Sequence, residues 1–403
     1  MIIMQKVMNI VIISNFAMDF SSNDNDRFLY IANELSKENT VEFITSNFFH
    51  TKKEKRDSTV AKWPFKITFL KEPGYHRNVC VKRFLSHYAW GKNVAKYLET
   101  IEKPDVIYCA MPSLTAAYMT AKFCKKNGVK FVIDVQDLWP EAFRMVLNIP
   151  FVSALLFSPF TAIANYAYSK ADAICAVSNT YVVRALKVNK KVVRGTTVYL
   201  GTELSHFDEC AQKEPVVFHT NKSETWLGYC GTLGSSYDLT SVFDALKILQ
   251  KKGKRNIKFI VMGDGPQYEE FKKYAKDNLL NVTFTGRLPY DKMCATLCQC
   301  DIAINPIMPN SAASIINKHA DYAAAGIPVI NTQESLEYRN LVDDYNMGLN
   351  CKNKNARDLA EKINLLLDNV ELRIHMGENA RRCAKEKFDR KQSYQELFDI
   401  ILK

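Results

Sequence analysis

Short runs of β-branched and aliphatic residues alternate along this chain with longer stretches whose apolar positions recur every three or four residues. That alternation predicts βαβ units and a parallel sheet. In the first half, residues 7–14 read as a strand. A polar loop through Ser21, Ser22, Asn23, Asp24 and Asn25 follows, then a helix over 26–37 and a strand over 40–45. After a charged stretch at 50–62, residues 106–109 read as a strand, 114–127 as a helix closed by Gly128, and 130–135 as the next strand.

Residues 201–224 show no clear period, and the pattern then begins afresh. Strands are predicted at 225–230, 257–262, 282–285, 301–305 and 328–330, and helices at 239–252, 267–278 and 314–325. The last stretch, 356–403, reads as helical with a break near Gly377. The fold class expected is α/β, with two consecutive doubly wound domains facing each other across a cleft. Residues 1–200 form the first domain, 201–370 the second, and helices within 371–403 cross back to the first.

Composition adds bounds to this picture. A chain of 403 residues with 47% hydrophobic and 24% charged residues is globular and long enough for two cores. The longest uncharged stretch, 145–169, is interrupted by Asn148, Pro150, Ser153, Ser158, Pro159 and Asn165, which argues against a membrane-spanning helix. The start has neither the long apolar region nor the small-residue cleavage site of a signal peptide. With eleven cysteines, it points to reduced thiols and a cytoplasmic location. Cys294, Cys298 and Cys300 cluster in sequence, but no His or fourth Cys lies near them, so they read as buried apolar thiols rather than zinc ligands. Net charge is +11, and it is uneven. Residues 1–200 hold 27 Lys and Arg against 16 Asp and Glu, whereas 201–403 hold 27 of each. A basic first half suits an anionic partner such as a phospholipid surface, a polyprenyl diphosphate or nucleic acid; a solvated basic face is the plain alternative. The nucleic-acid reading rests on charge alone, and no such partner is expected.

Ligands of open parallel sheets bind at the C-terminal ends of strands. Gly231-Thr232-Leu233-Gly234 offers backbone N–H groups with no Cβ in the way, which suits a diphosphate, and Gly263-Asp264-Gly265-Pro266 resembles it. Taken alone, either is better explained as an ordinary strand-to-helix turn. In the helix expected at 314–325, Ser314 is placed as the cap, Lys318 as a point charge one turn on, and Asp321 as an acceptor for ribose hydroxyls. A solvated amphipathic helix competes with that reading.

Taken in order, these segments resemble the retaining GT-B glycosyltransferases of family 4, the glycosyl transferases group 1 proteins. The resemblance is carried by Ala171 through Ser178, Tyr229-Cys230-Gly231-Thr232-Leu233, Val261 through Pro266, Val282 through Arg287, Cys300 through Pro306, and Asn317-Lys318 through Val329. Val132 through Glu141 resembles the subgroup that builds bacterial capsule, O-antigen or exopolysaccharide repeat units. The resemblance implies two Rossmann-like domains and retaining transfer of a hexose or related sugar from a nucleoside-diphosphate sugar, a UDP-sugar, to a polyprenyl-diphosphate-linked acceptor. It implies no metal and no cofactor. The diphosphate would meet Gly231, Thr232, Leu233, Gly234 and Lys318, the base Gly286, Arg287 and Leu288, and the ribose Asp321. Gly263, Asp264, Ser314 and Asn317 complete the expected donor site. Lys318, Asp137 and Glu141 are the catalytic candidates, with Asp137 favoured as acceptor-side base, although helix capping explains Asp137 almost as well. Acceptor contacts are expected at Asn15, Ser21, Ser22, Asp24 and Arg27.

The chain departs from the family pattern in several places. Where many relatives carry a pair of glutamates eight residues apart on this helix, the chain has Ala313 and Asp321. The Arg and Lys that often follow the first strand of the second domain are replaced by Thr232, with Tyr237 nearby, and the Gly-Gly loop after the first strand by Ser21 through Asp24. No His lies near Gln136. Asp24-Asn25-Asp26 superficially offers a metal-binding Asp-x-Asp, but as a helix start it needs no metal. The basic first half and the apolar stretch 143–160 together suggest docking on the inner membrane face, with Lys52, Lys53, Lys55, Arg56, Lys82 and Arg83 as contacts; core packing of 151–160 competes. Two rival functions remain: a nucleotide-sugar epimerase on the same scaffold, and a catalytically silent nucleotide-sugar-binding partner of another transferase.

Overall fold

The computed structural model describes residues 6–18, 20, 26–56, 63–78, 80–145, 152–191, 194–218, 223–309 and 315–403. Ser21, Ser22, Asp24, Ala313 and Ser314 lie outside the described residues. The chain divides into two compact units, Met1–Val198 with Tyr394–Lys403, and Tyr199–Ser393.

The first unit runs β1 (Asn9–Ile13), α1 (Arg27–Leu35), β2 (Thr40–Ser46), a hairpin of β3 (Phe48–Phe49) and β4 (Glu54–Lys55), β5 (Lys66–Leu70), α2 (Val81–Leu98), β6 (Val106–Met111), α3 (Leu114–Asn127), β7 (Lys130–Val135), α4 (Val152–Lys170), β8 (Ala173–Ala176), α5 (Asn179–Leu186) and β9 (Arg194–Thr197). Seven strands pair in parallel in the order β5-β2-β1-β6-β7-β8-β9. β6 is buried at every position, as a strand covered on both faces must be. α3 stops where the sequence says it should, at Gly128, which takes the left-handed conformation with φ 62°. Asp26 is the N-cap of α1: its Oδ1 accepts from the N–H groups of Phe28 and Leu29, and its Oδ2 from that of Met18. The helix-start reading of Asp26 therefore holds.

The second unit runs α6 (Leu204–Ala211), β10 (Thr225–Cys230), α7 (Leu239–Lys251), β11 (Ile257–Met262), α8 (Tyr268–Asp277), β12 (Val282–Gly286), α9 (Tyr290–Leu297), β13 (Ile302–Asn305), α10 (Asn317–Ala324), β14 (Val329–Asn331), α11 (Leu336–Tyr345), β15 (Gly348–Asn350), α12 (Ala356–Asp368), α13 (Val370–Cys383) and α14 (Arg390–Ser393). Its six strands are parallel, in the order β12-β11-β10-β13-β14-β15. Alternate residues of β10 feed two cores. Trp226 and Cys230 join one on the face of α6, α9, α10 and α13, and Leu227 and Tyr229 join the other under α7, α8 and α12. The sulfurs of Cys294 and Cys300 are buried in the first of these, and all eleven cysteines are free thiols.

Two expectations about helix ends change. α10 begins at Asn317 with Ile316 as its N-cap, so the cap is not Ser314; the Ile316 N–H is accepted by Nδ1 of His319. The break in the C-terminal helical stretch falls at Asn369, whose side chain accepts from the Leu372 N–H and starts α13. Gly377 lies inside α13, where a Cβ would stand 2.4 Å from the carbonyl oxygen of Gly326, so it serves close packing and not a break.

α15 (Gln395–Leu402) returns to the first unit and packs with α1 in one core. Arg27 holds this return. Its Nε pairs with Asp134 at 3.1 Å, and its Nη1 donates to the Val198 carbonyl (3.1 Å) and to the Tyr394 hydroxyl (2.9 Å). Only 4% exposed and engaged on every side, Arg27 is a structural ion pair and not the acceptor contact expected of it. Substituting Arg27→Met strands the Asp134 carboxylate in the core and is expected to cost about 3–5 kcal/mol. Urea denaturation of the variant, beside an Arg27→Met/Asp134→Leu double variant that recovers part of the loss, measures this.

Candidate functional site

In the second unit the strand order reverses between β10 and β13, and the chain leaves the C-terminal ends of these two strands into the glycine loop and toward α10. That is the switch point at which open sheets bind ligands. The loops after β10 and β11 approach each other more closely than side chains allow. A Cβ on Gly263 would stand 1.8 Å from the Gly231 carbonyl oxygen, and one on Gly265 would stand 2.3 Å from that of Leu233. Backbone bonds close the contact: Gly231 N–H donates to Met262, Leu233 N–H to Asp264, and Gln267 N–H back to Leu233. These bonds divide the predicted phosphate loop. The N–H groups of Gly231 and Leu233 are already occupied, and the Leu233 side chain is core. Among the described residues nothing accepts from the N–H groups of Thr232 and Gly234, so these two remain for an anion.

Lys318, in the first turn of α10, reaches this loop. A Cβ on Gly231 would lie 2.8 Å from its Nζ. The ammonium sits 4.2 Å from the ring centroid of Tyr229 and 4.0 Å from that of Tyr237. It is buried and, among the described residues, meets no hydrogen-bond acceptor. Burial pulls its pKa down to about 7, against a small opposing effect of the Cys230 thiol. Three residues on, Asp321 is also buried; its Oδ1 accepts from the Tyr290 hydroxyl at 3.0 Å, and Tyr290 in turn meets Thr202 at 3.0 Å. Burial pushes the Asp321 carboxyl up to about 6, with the Tyr290 bond and the charge of Arg390 opposing. Asn317 opens the same helix and is exposed.

The remaining donor candidates lie apart from Lys318. Gly286, Arg287 and Leu288 leave the end of β12, two strands from β10 and so about 10 Å across the sheet. Arg287 is exposed, and Leu288 packs against the core. Asp264 is exposed and accepts from the Gly265 N–H with its own side chain. Tyr229 enters the sequence analysis only as part of a motif with no role at the site, and Tyr290 does not enter it at all. Nothing local in sequence marks a tyrosine as the wall of a charged site.

In the first unit Asp137 follows β7. Its Oδ2 accepts from the indole N–H of Trp139 at 3.0 Å, and burial raises its carboxyl above the ordinary range. The guanidinium of Arg83 lies 4.6 Å over the Trp139 ring, and His87 stacks on that ring at 5.4 Å. So a histidine does stand beside this loop, supplied by α2 and not by the residues near Gln136. Its ring nitrogens are buried without partners among the described residues. Glu141 is ion-paired with Arg184 through Oε1, and its Oε2 is buried without a partner among the described residues. Asn15 is buried and donates to Glu72, which also accepts from Ser46 and Ser86; it is part of an internal network and not an acceptor contact.

Residues 212–383, which contain the glycine loops, Lys318 and Asp321, match the family model of glycosyl transferases group 1. That stretch lies within the second unit, which is thus similar to the glycosyl transferases group 1 proteins over most of its length. The uncharacterized glycosyltransferase MJ1069 of Methanocaldococcus jannaschii is 27% identical over 241 residues, 58% of this chain and 60% of that protein. The chain therefore spans about three fifths of that relative's length. The N,N'-diacetylbacillosaminyl-diphospho-undecaprenol alpha-1,3-N-acetylgalactosaminyltransferase of Campylobacter jejuni is 42% identical over 59 residues, 14% of this chain and 15% of that one. Among solved structures, Anabaena Alr3699/HepE in complex with UDP superposes with a TM-score of 0.69 at 14% identity, covering 97% of this chain and 99% of that one. The fold is GT-B, two Rossmann-like domains.

A buried ammonium without a counter-charge costs stability. Lys318→Met is therefore expected to be more stable than the parent by ~1–4 kcal/mol at pH 6. With a folded pKa near 7, below the unfolded value, the penalty is complete below pH 7. It fades as pH rises toward the lysine's unfolded pKa, because only the unfolded state then carries the proton. Denaturant midpoints of both proteins across this range check the size and the direction.

Proposed function

We propose that this protein is a retaining glycosyltransferase of family 4. It moves a hexose or related sugar from a UDP-sugar to a lipid-diphosphate-linked acceptor in the building of a bacterial capsule, O-antigen or exopolysaccharide. The observation that carries the reading is Lys318: a buried ammonium that meets no acceptor among the described residues, set against a loop with two open N–H groups. A diphosphate supplies the charge this site lacks. As the glycosidic bond to the leaving diphosphate stretches, negative charge grows on its oxygens, and Lys318 with the Thr232 and Gly234 N–H groups stabilises it without a metal. Arg287 and Leu288, on the same edge of the sheet, take the base, and Asp321, held by Tyr290, takes the ribose. Asp137 serves on the acceptor side as base or orienter. The complexes of Alr3699/HepE with UDP and with UDP-glucose support the donor class, and the name of the Campylobacter relative supports a lipid-diphosphate acceptor.

No helix among the described residues is long and apolar enough to cross a membrane. The protein works in the cytoplasm at the inner membrane face, through its basic first half.

Calorimetric titration with UDP, GDP and their sugar conjugates in EDTA tests the donor site. Micromolar binding of one nucleotide is expected, weakened roughly 10- to 100-fold by Lys318→Ala. Folded protein that binds none of them sinks the assignment, and binding without slow donor hydrolysis points to the silent partner. Above pH 7 the empty site loses the Lys318 proton, so affinity is expected to fall about tenfold per pH unit until the bound-state pKa is reached. Titrations at a series of pH values in the parent, with Lys318→Arg as a control that stays charged, separate this from titration of the nucleotide.

A further inference from the structure

A second cationic site lies in the first unit and shares no residue with those assigned above to the donor. A cavity of about 460 Å³ opens between the β3–β4 hairpin, residues 73–76 and the start of α2. Lys53, Lys55 and Lys82 line it, Ser86 and Tyr75 lie at its wall, and Glu54 is its one carboxylate among the described residues. Arg83 adds a further positive charge against Tyr75, 5.6 Å from the ring, and its Nε is buried without a partner among the described residues. The crowding registers on Lys53, which donates to His50 at 3.0 Å: burial, with Arg83 adding to it, lowers its pKa to about 8. Like charges gathered round a cavity repel one another, so an anion that fills it relieves the repulsion.

The lip of the cavity is apolar. Leu85 lines it and is 62% exposed, and Val81, one turn earlier on α2, is 75% exposed. Through Phe84, which meets Phe160 at 5.3 Å, the same end of α2 adjoins α4, where Leu155 is 78% exposed. A soluble phosphate has no use for such a lip, whereas an amphiphile uses both parts.

We propose that this cavity holds the diphosphate head of the acceptor lipid, with Lys53, Lys55 and Lys82 around the head and Val81, Leu85 and Leu155 in the membrane interface. The identity of the amphiphile rests on the acceptor reading above; the residues named here do not take part in the donor site.

Co-sedimentation with phosphatidylcholine vesicles doped with a polyprenyl diphosphate, beside vesicles of matched charge doped with phosphatidylglycerol, tests this. Tighter binding to the diphosphate vesicles is expected. Lys55→Gln/Lys82→Gln should weaken it about 25-fold, two lysines at roughly fivefold each. Val81→Ser/Leu85→Ser should weaken it as well, with UDP titrations of both variants unchanged. Equal binding to both vesicle types, or variants that bind like the parent, overturns the proposal. So does complete displacement by an equimolar amount of inorganic diphosphate, which assigns the cavity to a soluble anion. Protein that binds the diphosphate vesicles but no UDP supports the cavity and overturns the donor reading alone.

Discussion

The contact between two strand ends governs the second unit. Because Gly263 and Gly265 have no Cβ, the loops after β10 and β11 lie backbone to backbone, with Met262 and Asp264 carbonyls taking the N–H groups of Gly231 and Leu233. That contact fixes where the remaining N–H groups of the loop are, and it opens the space in front of Gly231 that the Lys318 side chain fills. A larger residue at 263 or 265 separates the loops, and one at 231 takes the place the ammonium occupies.

Two of the buried cations, Arg27 and Lys318, show opposite solutions to one electrostatic problem. Arg27 is paired with Asp134 and donates to a carbonyl and a hydroxyl, so its charge is compensated inside the fold and its role is to hold the chain's return. Lys318 has only the faces of Tyr229 and Tyr237, which attract a cation weakly compared with a carboxylate. A fold does not retain such an arrangement for its stability, and a ligand that brings negative charge gives it a reason. Asp321 stands nearby, but its oxygen is taken up with Tyr290, so it is positioned by the protein and does not neutralise the lysine.

In the first unit, polar residues that looked available proved to be engaged. Asn15 bonds Glu72, Glu141 pairs with Arg184, and Arg27 lies under the C-terminal return. What the unit exposes instead is the lysine-lined cavity with its apolar lip, together with the loop of Asp137 and Trp139 packed on α2. The excess of basic residues in this half of the chain thus has a particular place at the surface in addition to a general sign.

The sequence by itself determined the alternation of strands and helices, the stop of α3 at Gly128, the cap at Asp26, the glycines at the ends of β10, β11 and β12, and the burial of Cys294 and Cys300, though not that Cys298 is only half-buried. Each of these depends on a residue's own backbone preferences or on a period that repeats within one element. The tertiary structure alone decided which polar side chains are compensated. Arg27 finds Tyr394 across 367 positions, Asn15 finds Glu72 across 57, and Asp321 finds Tyr290 across 31. It also decided that α10 starts at Asn317 and that two tyrosines, not a carboxylate, face Lys318. The reason is that charge compensation and burial are set by groups brought together only when the sheet closes, and no local pattern in the chain records them.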